Sequence, residues 1–167
     1  MPDYQFVLDL ALEYGKKEIR TSYVAPTSIQ DKLDKDKYYN DGKELFLSFI
    51  KDCEIYNITA RIDCNHIPLC YFNDEEKILV TKVCKNINNY CDPVIDITPD
   101  MKATCCFGTY DLIDLKDFDN LNDVSRYFLF DRIYNKTMSN CTGKCANCDK
   151  LKKFTCQGGC LAFARER

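Results

Sequence analysis

Five cysteines crowd the last part of the chain, at Cys141, Cys145, Cys148, Cys156 and Cys160, with Gly158 and Gly159 directly before the last of them. Soft sulfur ligands at such short spacings constrain this stretch more than any apolar pattern does, because the fold has to give each thiol a partner or a buried place. The whole chain carries 12 cysteines in 167 residues. It opens with MPDYQFVLDLALEYG, which is acidic and helix-patterned and has neither the basic start nor the apolar run of a secretion signal. A cytoplasmic, reducing setting is therefore expected, in which the thiols are ligands, catalysts or small core residues rather than disulfides.

The length suits one domain, or one domain with an appended piece, and an apolar fraction of 46% is enough for an ordinary core. The net charge is -3, with Lys and Arg spread among Asp and Glu. No basic face is offered to nucleic acid and no polybasic stretch to anionic lipid. No uncharged run approaches the length of a membrane span.

The first part reads as alternating helix and strand. Phe6, Val7, Leu10, Ala11 and Tyr14 recur at helical spacing, Gly15 can close that helix, and Glu18 to Val24 is a short β-prone run. A polar stretch from Ser28 to Asp41 leads to a second helical face of Leu45, Phe46, Phe49, Ile50 and Cys53. Ile58, Ala60 and Ile62 then alternate with Thr59, Arg61 and Asp63 as in a strand. Such units pair in parallel with right-handed crossovers, but two of them bury too little to form a stable layer alone. A charged helix is expected from Asp74 to Ile87, with Cys84 on its last turn. Beyond it, Val94 to Thr98 and Lys102 to Phe107 form a hairpin around Pro99-Asp100-Met101. In its second strand Ala103, Cys105 and Phe107 share one face while Cys106 and Thr104 share the other, so only one of the adjacent thiols suits a given site. An amphipathic helix comes next, with Leu121, Val124 and Phe128 on one side and Ile133 near its end.

In the tail, Cys145-Ala-Asn-Cys148 lets two thiolates reach one ion from a tight turn. The glycines of Cys156-Gln-Gly-Gly-Cys160 let backbone approach a cluster closely. A structural zinc usually takes two separated CxxC pairs or added histidines, whereas this chain has one CxxC and a single histidine, His66. Iron–sulfur clusters accept unequal gaps and distant thiolates, which also accounts for Cys84, Cys91 and Cys106. Iron–sulfur is the favoured reading, zinc the alternative, and free thiols the remainder.

In these residues the chain resembles the C-terminal portion of a radical SAM protein with a SPASM or twitch auxiliary-cluster domain. The pattern reads here as Cys91, the hairpin VIDITPDMKATC, Cys106-Phe107, then Cys145, Cys148, Cys156 and Cys160, over residues 84 to 163. The resemblance implies an auxiliary 4Fe–4S cluster on Cys84, Cys91, Cys106 and Cys160, and a second on Cys145, Cys148 and Cys156 with one more ligand. Met101 replaces the glycine favoured in the hairpin turn, a change expected to alter the turn but not the ligands. The gap between Cys148 and Cys156 is longer than the pattern, and its last cysteine would lie beyond Arg167. The second site has three possible forms: Cys141 serves as fourth ligand, an exogenous group does, or only the first cluster forms. KKEIRTSYVAP and ITARIDCNHIP likewise resemble strands of the family's partial αβ barrel. The CxxxCxxC that binds the S-adenosylmethionine-cleaving cluster is absent from these residues.

The fold expected is thus α/β, with residues 1–72 as the rear of an open, partial αβ barrel and 73–167 as a cysteine-rich hairpin-and-helix domain of SPASM type. The resemblance implies an auxiliary cluster-binding part of an enzyme acting on a peptide or protein, not active alone. S-adenosylmethionine would bind only in a longer protein, or with a partner chain supplying the missing barrel half. The other class of reading is a non-catalytic binding module, stapled by zinc or a cluster. By resemblance, Arg20 and Ser22 fall where S-adenosylmethionine is held, though a strand Arg is commonly a surface or ion-paired residue. Asp63 and Asn65 lie at a strand end, where a substrate group can bind, or where Asp63 caps the next turn. Cys53 is read as core and His66 as a loop residue. Lys150, Lys152 and Lys153 either offset cluster charge or form a solvated face.

Overall fold

A computed structural model describes residues 4–22, 34–63, 67–87, 94–106, 112–139 and 143–164. It is a mixed α/β protein that has, among the described residues, two small sheets, neither closed into a barrel. The chain divides into two compact units. Among the described residues, the first holds 4–22 and 36–87, and the second holds 34, 35 and everything from 94 onward.

In the first unit, helix α1 (Gln5–Glu13) ends as expected at Gly15. Its φ of 61° lets Lys16 N–H reach the Ala11 carbonyl at 2.7 Å and Gly15 N–H the Leu12 carbonyl at 3.1 Å, the paired bonds of a Schellman cap. The buried face differs from expectation: Leu8 and Ala11 are inside, while Phe6, Leu10 and Tyr14 are exposed. The reason lies at Tyr4, which extends the Leu8–Ala11 stripe by one turn. Its hydroxyl donates to Asp52 Oδ2 at 2.7 Å, and its ring packs edge-on against Phe49. This anchor rotates α1 onto the next helix.

That helix, α2 (Lys35–Ile55), starts well inside the polar stretch from Ser28 to Asp41, ahead of the apolar face that begins at Leu45. Tyr39 is fully buried there and Tyr71 donates to the Asp36 carboxylate. Phe49, Ile50 and Cys53 line its inner face as expected, with Leu45 and Phe46 half-buried. Strands β1 (Glu18–Thr21) and β2 (Thr59–Ile62) pair in parallel, Arg20 opposite Arg61. Ile58, Ala60 and Ile62 point inward, as their alternation predicts.

Helix α3 (Asp74–Val83) opens on a capping box in which Asn73 Oδ1 accepts from Glu76 N–H and Glu76 Oε2 accepts from Asn73 N–H, both at 2.8 Å. It stops at Val83 rather than running to Ile87. Cys84 therefore opens strand β3 (Cys84–Lys85), parallel to β2 with Cys84 opposite Ala60, instead of closing the helix. This third parallel strand enlarges the layer that two units alone would have left thin.

In the second unit, β4 (Asp96–Ile97) and β5 (Lys102–Thr104) form the expected hairpin, shorter than its β-prone runs. An unforeseen strand, β6 (Ile113–Asp114), pairs antiparallel with β5. Met101 in the hairpin turn adopts φ 60°, the left-handed conformation that glycine favours. Ala103, Val124 and Phe128 form one buried cluster, with Cys105, Ile113 and Phe118 packed around them, and Leu151, Leu161 and Ala162 are buried in the tail. Helix α4 (Leu121–Arg126) starts on Asn120, whose Oδ1 accepts from Asn122 N–H at 2.9 Å and Asp123 N–H at 3.2 Å. This cap places Leu121 at the open end of the helix, exposed rather than on the core face. A π-helical stretch, Tyr127–Tyr134, leads into α5 (Asn135–Ser139), so the expected single helix has three segments. The tail carries a short turn at Gly143–Cys145, helix α6 (Asp149–Lys152) and a final turn at Leu161–Ala164.

Candidate functional site

The tail gathers sulfur. Cys148 N–H donates to the Cys145 carbonyl at 3.1 Å, folding the CxxC into a turn before Cys148 opens α6. Cys145 and Cys160 are buried, and Cys148 and Cys156 are half-buried. Gly158 and Gly159 take φ of 78° and 91°, and this bend brings Gly158 N–H to the Cys156 sulfur at 3.3 Å and the Gly158 carbonyl to within 3.9 Å of the Cys145 sulfur. Gln157, itself buried, donates from Nε2 to the Gly159 carbonyl at 2.9 Å and so fixes the loop from within. An N–H directed at sulfur is the kind of contact that metal-bound cysteines commonly receive.

Electrostatics tie these groups together. Burial is the largest influence on Cys145 and pushes its thiol up from the ordinary value. The charge and hydrogen bond of Lys35 pull it down, and the neighbouring sulfurs of Cys156 and Cys148 push it up again. The sulfurs of Cys148 and Cys156 are thus near enough to be felt at Cys145, and Lys35 beside it is only 5% exposed. Nothing in the sequence singled out Lys35, since a lone lysine in a polar run carries no periodic signal. Gln157 was visible only as the filler of CQGGC.

Among the described residues, no group of three or more His, Cys, Asp or Glu side chains is arranged as a ready metal site. The donor set nevertheless fits a sulfur-bound metal in kind: thiols, a backbone N–H aimed at sulfur, and a buried cation to balance thiolate charge. Nearby, α5 packs on the Leu161–Ala164 turn just beyond Cys160. Thr137 of α5 is 1% exposed, and its Oγ1 has no hydrogen-bond partner among the described residues.

The remaining candidates fall elsewhere. Cys105 packs on the core beside Ala103, while Cys106 lies off it with its N–H donating to Thr104 Oγ1 at 3.4 Å, so the adjacent thiols divide as their alternation predicts. Cys84 is buried in the first unit and its thiol is pushed up to about 12, by burial first and by the charge of Cys53 second. Cys53 is likewise pushed up to about 12 by burial, with Asp52 adding to it. Both thiols are buried in the first unit. Cys91, Cys141, Asn65 and His66 lie outside the described residues.

Arg20 and Asp63 are brought together. They stand at the carboxyl ends of β1 and β2, with Arg20 Nε 3.9 Å from Asp63 Oδ1 and both side chains well exposed. Earlier on β2, Arg61 binds Glu18 at 2.7 Å and holds that carboxyl below its usual range. Ser22, just past β1, is exposed. No described helix is long and apolar enough to cross a membrane. The chain matches no family model, no curated protein and no solved structure.

Proposed function

We propose that the cysteine-rich tail is an auxiliary 4Fe–4S cluster site belonging to a radical SAM type of enzyme that modifies a peptide or protein. The observation that carries this reading is the loop that turns the Gly158 N–H onto the Cys156 sulfur at 3.3 Å and the Gly158 carbonyl to 3.9 Å from the buried Cys145 sulfur. Cys145, Cys148 and Cys156 would hold the cluster, with Cys141, Cys160 or an exogenous group as fourth ligand. Cys106, off the core face, and Cys91 remain candidates for a second cluster with Cys160, whereas the burial of Cys84 beside Cys53 suits a core residue better than a ligand. Such a cluster supplies electron transfer, or an open iron for a substrate atom. The protein's part is to exclude water from Cys145 and Cys160, to direct the Gly158 N–H at sulfur and to offset thiolate charge through Lys35. Arg20 and Asp63, a cation and an anion at one sheet edge, suit a zwitterionic ligand such as S-adenosylmethionine, in a protein or complex that supplies the missing CxxxCxxC.

A structural zinc in a non-catalytic module is the second reading, favoured by the CxxC turn in which Cys148 N–H donates to the Cys145 carbonyl, a local geometry suited to holding one ion as a fold staple.

Purification without oxygen separates the two. Brown protein with comparable iron and sulfide, and a paramagnetic resonance signal after dithionite reduction that Cys156→Ala abolishes, supports the cluster. Colourless protein with one zinc decides for the staple, and protein free of both metals defeats both readings.

A further inference from the structure

The short helix α6 ends in the same hydrogen-bond pattern as α1. Phe154 N–H donates to the Leu151 carbonyl at 2.9 Å and Thr155 N–H to the Lys150 carbonyl at 2.8 Å. At the corresponding position α1 has Gly15, but here the left-handed residue, at φ 52°, is Phe154. A bulky side chain in that conformation is strained where glycine would not be. Nor is the ring hidden for compensation, because Phe154 stays 38% exposed. It lies parallel to Tyr134, with ring centroids 4.8 Å apart and planes at 15°. Tyr134 and, one turn further along, Met138 are each 49% exposed, and Phe130, one turn earlier, is 68% exposed. A stacked aromatic pair thus sits within an apolar strip facing solvent.

Cations border it. Lys150 and Lys153 lie within the turn that delivers Phe154, and both are exposed. Neither forms an ion pair among the described residues, whereas Lys37, Lys43, Lys82 and Lys116 pair with carboxylates. The one acidic residue of α6, Asp149, stands at its start, where it suits the helix dipole.

From the strained Phe154, its exposed stack on Tyr134 and the unpaired Lys150 and Lys153, we propose that this face docks an acidic protein segment carrying apolar or aromatic side chains. Aromatic rings would anchor its apolar residues while the lysines meet its carboxylates. The strip offers apolar area with only a few cations beside it, which suits a protein segment rather than a polyanionic backbone. The inference does not depend on which metal, if any, the tail binds.

Phe154→Gly is the informative variant, because it removes the ring and relaxes the backbone together. Fluorescence anisotropy of a labelled peptide of Glu, Asp, Leu and Phe should show binding to the whole chain that weakens with salt. The Gln and Asn version of the peptide should bind about tenfold more weakly. Phe154→Gly should weaken binding about tenfold without lowering the thermal midpoint, and Lys150→Glu with Lys153→Glu should do the same to binding. Absence of binding, equal affinity for the neutral peptide, unchanged affinity in Phe154→Gly, or tighter binding of a labelled single-stranded oligonucleotide overturns the proposal.

Discussion

The Lys35 side chain is hydrogen-bonded to the Cys145 thiol inside the second unit, so a cation from the start of α2 and a sulfur from the tail share one buried environment. Lys35 opposes the effect of burial on Cys145. Lys35→Met should therefore move alkylation of Cys145 to higher pH, as read by mass spectrometry of the metal-free protein. It should also weaken metal loading about tenfold or more, while Lys35→Arg keeps part of both.

Thr137 buries a hydroxyl with no partner among the described residues. Leaving such a group unpaired costs about 1–3 kcal/mol. Thr137→Val should raise the urea midpoint of the metal-free protein. If the hydroxyl serves a bound group instead, the same variant will lower metal retention during dialysis.

Met101 holds φ 60° in the hairpin turn with its side chain largely in solvent. Met101→Gly should stabilise the protein by up to about 1 kcal/mol, the relief of left-handed strain less the extra freedom of the unfolded chain. Equilibrium denaturation would show it, and Met101→Val should shift the midpoint in the opposite direction.

Cys53 and Cys84 are both pushed from 9.0 up to about 12, chiefly by burial. Their protons are held more tightly in the folded state, so this contribution is intact below the ordinary thiol range and is lost as pH climbs from 9.0 towards about 12. Urea midpoints should fall over that window, and fall less steeply in Cys53→Ala with Cys84→Ala. In the native protein both thiols should resist iodoacetamide at neutral pH while the exposed Cys70 reacts.

Asn73→Ala removes one half of the capping box of α3 and should cost about 1 kcal/mol by the same denaturation measurement.

Elements set by short-range chemistry were legible. The close of α1 at Gly15, the alternation of Ile58, Ala60 and Ile62, and the opposed faces of Cys105 and Cys106 all stem from local pattern. Features decided by distant partners were not. The face of α1 turns on a hydroxyl of Tyr4 reaching Asp52, and the strand at Cys84 exists because β2 offers it an edge. At the tail, spacing exposed the cysteines. It did not reveal Lys35, which is distant in sequence and recognisable only by its burial.

The π-helical stretch Tyr127–Tyr134 also limits how this protein can vary in length. A π turn is an α turn with an added residue, and it rotates every later residue of the helix by roughly 100° relative to an uninterrupted α-helix. Losing one residue as the stretch winds back to the ordinary pitch cancels that rotation and leaves Thr137 facing the interior it now occupies, whereas rewinding without a loss would swing it away. A single deletion at the exposed Leu129 or Phe130 should therefore be tolerated far better than a single insertion there.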